Sequence, residues 1–219
     1  MIHRIILLTL FITTITTITT AQKTTGVVTF ECTKVEGGGM QAMLLQNSTQ
    51  TIAFGKHTTL LDFNAMNGTV TTKIYNNTQS KKTTLLMSVP FMGKYKVNMT
   101  EEEAKEYRGE PVKLDITYKK KSTKKILGYT CHKAIVKTKE SSIVLYVTDK
   151  IKPKQSPFSN MFPDLKGFPL EFQSNRGETK MTFKAKKITK IKKDTFKYSS
   201  KGYEELTAEE FKKRMGDRK

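Results

Sequence analysis

Beyond the first few residues the chain has two histidines, His57 in AFGKHTT and His132 in GYTCHKAIV, and His132 directly follows Cys131. A thiol beside an imidazole suggests a nucleophile and its base. On an extended segment, however, adjacent side chains point to opposite faces, which sets the ring apart from the sulfur. Ser122 and Lys125 have the spacing of a Ser-x-x-Lys pair, but they fall inside KKKSTKK, which reads as a solvated lysine-rich loop. The spacings HExxH, GxSxG, CxxC and that of an EF-hand loop do not occur. Carboxylates gather at two helix starts, where capping accounts for them. The residues therefore predict no catalytic group, no metal and no cofactor. The chain is expected not to be an enzyme unless folding gathers separated groups into one cleft.

The elements that would position any site are mostly strands. In the runs VVTFECTKV, SSIVLYVTD, FPLEFQS and KMTFKAK, apolar residues alternate with polar or basic ones, the period of a half-buried antiparallel strand. Gly37–Gly39, Asn67-Gly68 and Asn175-Arg176-Gly177 punctuate them as turns. Two segments read as helices. Thr100 with Glu103 forms a capping box for a short helix that Gly109 ends, and Thr207 with Glu210 forms a second. In the second, Leu206 can staple to Phe211, and Gly216 stops the helix. With 37% hydrophobic residues, twelve Phe and eight Tyr among 219, there is apolar area for a core, so disorder along the whole length is excluded.

Residues 1–21 differ in kind. Arg4 precedes the apolar run IILLTLFI, and Thr19, Thr20 and Ala21 close the segment with small residues, which predicts a secretory signal peptide cleaved after Ala21. The run is too short to span a bilayer. Residues 22–219 are then expected as one exported β-rich domain in the periplasm or outside the cell. In such an oxidising compartment two cysteines invite a disulfide between Cys32 and Cys131, which would close a loop of about a hundred residues, worth up to about 4–5 kcal/mol. Two buried free thiols acting as small apolar groups remain the alternative.

The formal charge is +19. It is uneven: residues 1–110 carry an excess of +3 and residues 111–219 an excess of +16. Only five of the 39 basic residues are Arg, and base or phosphate reading favours bidentate Arg among aromatics, so nucleic acid is not expected as a partner. The lysines of KAKKITKIKK, with Lys184, Lys186, Lys190 and Lys192 as candidates, form a basic stripe. It would guard a sheet edge against pairing or dock on an anionic membrane or envelope polymer. Four Asn-x-Ser/Thr sequences, at Asn47, Asn67, Asn76 and Asn98, match the glycosylation acceptor, but Thr is abundant enough to produce them by chance.

The order of GYTCHKAIV, SSIVLYVTDKI, LKGFPLEFQ, KMTFKAKKITK and KGYEELTAEEFKKRMG resembles an uncharacterised family of exported proteins common in Bacteroidota. That family is similar in fold to the periplasmic lipoprotein carriers and their outer-membrane lipoprotein receptor. The resemblance covers nearly all of residues 25–216. It implies a mainly β (α+β) open antiparallel half-barrel with a short helix and a C-terminal helix, and an apolar concavity, but no enzyme and no particular cargo. In the chain itself Ile143, Leu145 and Val147 share a strand face, as do Phe168, Leu170 and Phe172, and Met181 and Phe183. These residues are the candidate lining for a hydrophobic or amphipathic, lipid-like ligand. The other expectation is an envelope interaction protein whose sheet is filled by its own side chains and whose lysine-rich face meets anionic polymer, glycan or protein. The oligomeric state is not readable from the sequence.

Overall fold

The computed structural model describes residues 22–109, 113–137, 142–176 and 178–216. The expected signal peptide lies outside the described residues. One antiparallel run comprises β1 (Gly26–Glu36), β2 (Thr49–Phe54), β3 (Thr58–Ala65), β4 (Val70–Asn77), β5 (Lys82–Val89) and β6 (Gly93–Met99). A second comprises β7 (Asp115–Ile126), β8 (Tyr129–Lys137), β9 (Ser142–Thr148), β10 (Phe168–Arg176) and β11 (Thr179–Thr189). The short β12 (Glu204–Leu206) follows. The helices are α1 (Gly39–Leu45), α2 (Glu101–Arg108) and α3 (Ala208–Gly216).

All twelve strands join one open sheet in the order β12-β6-β5-β4-β3-β2-β1-β11-β10-β9-β8-β7. The architecture is mainly β, an open half-barrel with short helices and a C-terminal helix. The two runs meet at a seam where Val28 pairs with Ile188 and Cys32 with Phe183. Among the twelve strands of the described residues β12 alone runs parallel to its neighbour, Leu206 lying beside Val97 of β6.

The seam also revises the role of the basic stripe. β11 lies between β1 and β10, so Lys184 and Lys186 sit in the interior of the sheet and guard no edge. Lys190 and Lys192 follow the strand in the exposed segment beyond Thr189. The lysine-rich edge is β7, which carries KKKSTKK as part of a strand rather than a loop, with a register shift between Lys119 and Thr123. Unpaired edges invite association, and clustered ammonium groups oppose it.

Alternation buries one face of the seam strands. Val28, Phe30, Leu145, Phe168, Leu170, Phe172, Met181 and Phe183 join one core with Ile52, Phe54 and Phe63. In β8 the buried positions run Cys131, Ala134, Val136, so the phase changes opposite the β7 irregularity and Ile135 lies off the core face that a strict period of two would give it. The connection between β9 and β10 is not idle. Its turn, held by the Phe158 carbonyl accepting from the amides of Met161 (3.0 Å) and Phe162 (2.7 Å), delivers both Phe158 and Phe162 into this core.

Both expected capping boxes form, Thr100 exchanging bonds with Glu103 and Thr207 with Glu210. Leu206 and Phe211 meet in a second cluster with Leu85, Tyr95, Val97, Met99 and Ala104, which fastens α2 and α3 to β5 and β6. α1 was not expected. It has no side-chain cap and no charged residue, and it is held by Ala42 and Leu45, which are buried.

Candidate functional site

Adjacent residues on a strand face opposite ways, so the second cluster claims Leu85 while Leu86 belongs to the other face. There Ala53, Leu60, Tyr75 and Leu86 form a third cluster that Phe196 and Tyr203 cover from the segment after β11. Beside this cover lies a cleft of about 730 Å³, within the size range of small-molecule sites, about 300–1,000 Å³. Its aromatic members are Tyr75, Phe196 and Tyr198. The Tyr198 ring rests on Tyr75 with centroids 4.8 Å apart and planes inclined by 40°, and Tyr198 stays 43% exposed. Apart from Met99 the rest of the lining is polar or charged, chiefly Asn77, Thr84, Lys96 and Asn98.

The polar groups are tied into a network. The Thr84 hydroxyl donates to Asn98 Oδ1 (3.0 Å), and Asn98 Nδ2 donates to Glu205 Oε1 (2.6 Å). The Lys96 ammonium reaches the same carboxylate oxygen at 3.1 Å. Asn77 Oδ1 accepts from the amides of Gln79 and Ser80 at 2.9 and 3.0 Å, and its Nδ2 donates to Thr58 Oγ1 at 3.4 Å. Amides and hydroxyls held in this way offer fixed donors and acceptors beside an aromatic face.

A second cleft, about 660 Å³, lies at the β7–β8 turn and includes Lys23, Leu127, Tyr129, His132 and Asp149. His132 Nδ1 is 3.1 Å from the Lys120 carbonyl, whereas the Cys131 side chain belongs to the core. His57 is exposed on the β2–β3 turn. Among the described residues, no three His, Cys, Asp or Glu side chains group as a metal site.

Of the residues expected to line an apolar ligand site, Leu145, Val147, Phe168, Leu170, Phe172, Met181 and Phe183 are buried together, with Ile143 packed against them. Rings of Phe30, Phe168 and Phe172 surround Phe158 at 6.3, 5.3 and 5.2 Å. Neither of these two clefts is lined by these side chains. Cys32 and Cys131 are both free thiols, on strands separated in the sheet by β11, β10 and β9. Apart from Thr100 and Glu103, read as a capping box, the cleft residues escaped the sequence reading. Asn98 stood out only as a glycosylation acceptor, and TFKYSSKGY, which brings Phe196 and Tyr198, has no strand or helix period.

Burial pushes the Cys131 thiol up to about 11, with the Glu171 carboxylate adding to the rise and the Lys124 ammonium opposing it. Burial and then the Asp62 carboxylate push Tyr75 up to about 12. Both groups are neutral when protonated and hold the proton longer in the folded chain. Their contribution is therefore complete below pH 9.0, the ordinary thiol value, and is lost as pH rises toward 12, because the unfolded chain releases those protons first. Tm should hold steady from pH 7 to about 9 and then fall, and Cys131→Ala should make the fall shallower without moving its onset, because burial also raises the Cys32 thiol from the same ordinary value. A Cys131→Ala profile that overlays the parent's would refute the assignment.

Comparison with known proteins supplies a second line. The family model for the N-glycanase peptide, N-terminal domain, matches residues 112–210. Among solved structures, the chain is similar to PNGF-II in space group C2, with 19% identity and a TM-score of 0.50. The match covers 90% of this chain and 33% of that one, so the chain spans about a third of PNGF-II. PNGF-II in space group P21 gives 18% identity and a TM-score of 0.48 with the same coverage. The Mycobacterium tuberculosis lipoprotein LppX gives 7% identity and a TM-score of 0.39 over 78% of this chain and 88% of its own. No curated protein matches.

The likeness to PNGF-II in the C2 form is a likeness of fold. The family match, over residues 112–210, is to an N-glycanase domain. It also corrects the expectation that the chain is no enzyme: the matched family is part of an N-glycanase, through its N-terminal domain.

Proposed function

We propose that this chain works in N-glycanase chemistry, and that the cleft over β4–β6 seats the carbohydrate of an N-linked glycoprotein. The observation that carries the reading is the exposed Tyr198 ring resting on Tyr75 beside fixed amide and hydroxyl groups of Asn77, Asn98 and Thr84. A sugar ring has an apolar face that packs on an aromatic ring and an equatorial belt of hydroxyls that needs donors and acceptors. Phe196 and Tyr198, which form one wall, lie within the span that matches the N-glycanase family. Lys190 and Lys192 precede that wall and would add long-range attraction for acidic glycoproteins. Substrates of this kind are extracellular, in keeping with residues 1–21 acting as an export signal. The alternative, a lipid-like ligand held by Ile143, Leu145, Val147, Phe168, Leu170, Phe172, Met181 and Phe183, is less favoured, since Phe158 occupies the space between the strands that would line it.

Calorimetric titration with an N-glycopeptide and with the same peptide lacking its glycan tests the reading. The glycosylated form should bind, the bare peptide should not, and Tyr198→Ala should weaken binding about tenfold, the cost of losing one aromatic platform. Equal binding of both peptides, or an unchanged constant for Tyr198→Ala, would refute it.

A further inference from the structure

The two ends of the β1–β6 run differ in a way that neither the core nor the cleft requires. Strand direction alternates, so α1, the β3–β4 turn and the β5–β6 turn all fall at one end of the sheet. In sheet order these three connections are neighbours, two strands apart, or about 10 Å. The β2–β3 and β4–β5 turns at the other end are polar and basic, with Lys56, His57, Gln79 and Lys81.

At the first end charge disappears. Residues 37–55, 63–72 and 83–93 contain no Asp, Glu, Lys, Arg or His, in a chain that is 27% charged. Each uncharged stretch contains one of the three connections. Two of the three present exposed apolar side chains, Met40 (76% exposed) and Met43 (72%) from α1 and Phe91 (107%) from the β5–β6 turn, while the β3–β4 turn adds the uncharged Asn67, Gly68 and Thr69. Phe91 also adopts a φ of +63° and Met66 a φ of +51°, the left-handed region that bulky residues avoid. The β5–β6 turn is nonetheless fixed, since the Tyr95 hydroxyl donates to the Met92 carbonyl and the Met92 amide donates to the Val89 carbonyl at 3.2 Å. A strained backbone that holds a fully exposed phenyl ring gains nothing within the fold.

What covers this rim follows from the charge around it. From Gly37 to Thr100 the only acidic residue is Asp62, and it is paired with Lys73 at 3.4 Å. Lys94 stands exposed just past the Phe91 turn, and the whole chain carries +19. Apolar tips beside the exposed Lys94, with Glu36 next to α1 paired to Lys34 at 2.6 Å, complement an anionic bilayer, whose surface attracts ammonium groups and whose headgroup boundary accepts aromatic and thioether side chains. A second copy of so basic a chain would meet like charge with like. We propose that the rim formed by α1 and the β3–β4 and β5–β6 turns docks on an anionic lipid surface, with Met40, Met43 and Phe91 entering the headgroup boundary. The docking is independent of the glycan cleft and would hold the protein at a membrane.

The chain contains no Trp, so Phe91→Trp places a single indole emitter at the rim. With vesicles of phosphatidylcholine and phosphatidylglycerol, the emission of the full-length variant should shift to the blue and be quenched by bromine-labelled acyl chains; vesicles of phosphatidylcholine alone should have less effect. In co-sedimentation with the mixed vesicles, Phe91→Ser and Met40→Ser/Met43→Ser should each lower partitioning about tenfold or more, the loss expected for withdrawing one buried aromatic or two thioether side chains. Partitioning that matches the parent's in both variants would assign binding to the lysines alone and overturn the proposal. So would an emission maximum that vesicles do not move. A parent dimer in sedimentation velocity that the same variants abolish would overturn it in favour of a second copy.

Discussion

Replacing Phe158 with Ala is expected to lower the free energy of unfolding by about 3–5 kcal/mol, a large share of the total for a typical domain. The side chain is fully buried, and its ring is edge-on to those of Phe30, Phe168 and Phe172. It comes from a connection rather than a strand, and it touches both halves of the sheet, since Phe30 lies on β1 and Phe168 and Phe172 lie on β10. Removing it leaves a cavity where the two runs meet, and the strands around that cavity are tied by backbone hydrogen bonds that prevent full collapse. Urea unfolding followed by circular dichroism measures the loss. A change below about 1 kcal/mol would mean that the seam is held by the β1–β11 ladder alone. Ile143→Ala, at a half-buried position on the same face, should cost less.

Phe158 also marks where the sequence stops being informative. The alternation in SSIVLYVTD, FPLEFQS and KMTFKAK identifies an apolar face, and that face is the core. Whether such a face is open to a ligand or filled depends on what crosses it. The crossing segment, KPKQSPFSNMFPDLKG, has the Pro, Ser and Asn of an irregular loop and no period that would mark Phe158 and Phe162 as core. The caps were legible because a capping box is local, four residues long and chemically specific. The strand order was not, because the β1–β11 seam pairs residues some 150 positions apart and nothing local distinguishes a lysine-rich interior strand such as β11 from a lysine-rich edge such as β7. α1 was hidden for the opposite reason: GMQAMLL is too short for periodicity and has no capping residue. The cleft residues come from β3 to β6, α2, β12 and the tail after β11, so only the sheet brings them together.

Phe211→Ala should produce a loss of similar size, about 3–5 kcal/mol in its own cluster, but with a different pattern. Phe211 is the main buried side chain of α3, packed against Tyr95 at 6.4 Å and Tyr107 at 6.0 Å, in a cluster separate from the one that holds Phe158. Without that anchor α3 should come away together with β12, whose Leu206 belongs to the same cluster. Clusters that share few contacts open independently, so hydrogen exchange should quicken in residues 204–216 and along β6 while β9–β11 stay protected. For Phe158→Ala the acceleration should centre on β1 and β9–β11 instead. The satellite cluster also supports the cleft. Glu205 of β12 accepts from both Asn98 and Lys96, and Glu204 is held by Arg214 of α3 at 2.7 Å. If the cleft seats a glycan, Phe211→Ala should weaken glycopeptide binding although Phe211 does not line the cleft, and Phe158→Ala should leave binding intact below its own unfolding transition. Equal weakening by both variants would show that the cleft depends on the sheet as a whole. No weakening by Phe211→Ala would remove Glu205 and its partners from the site.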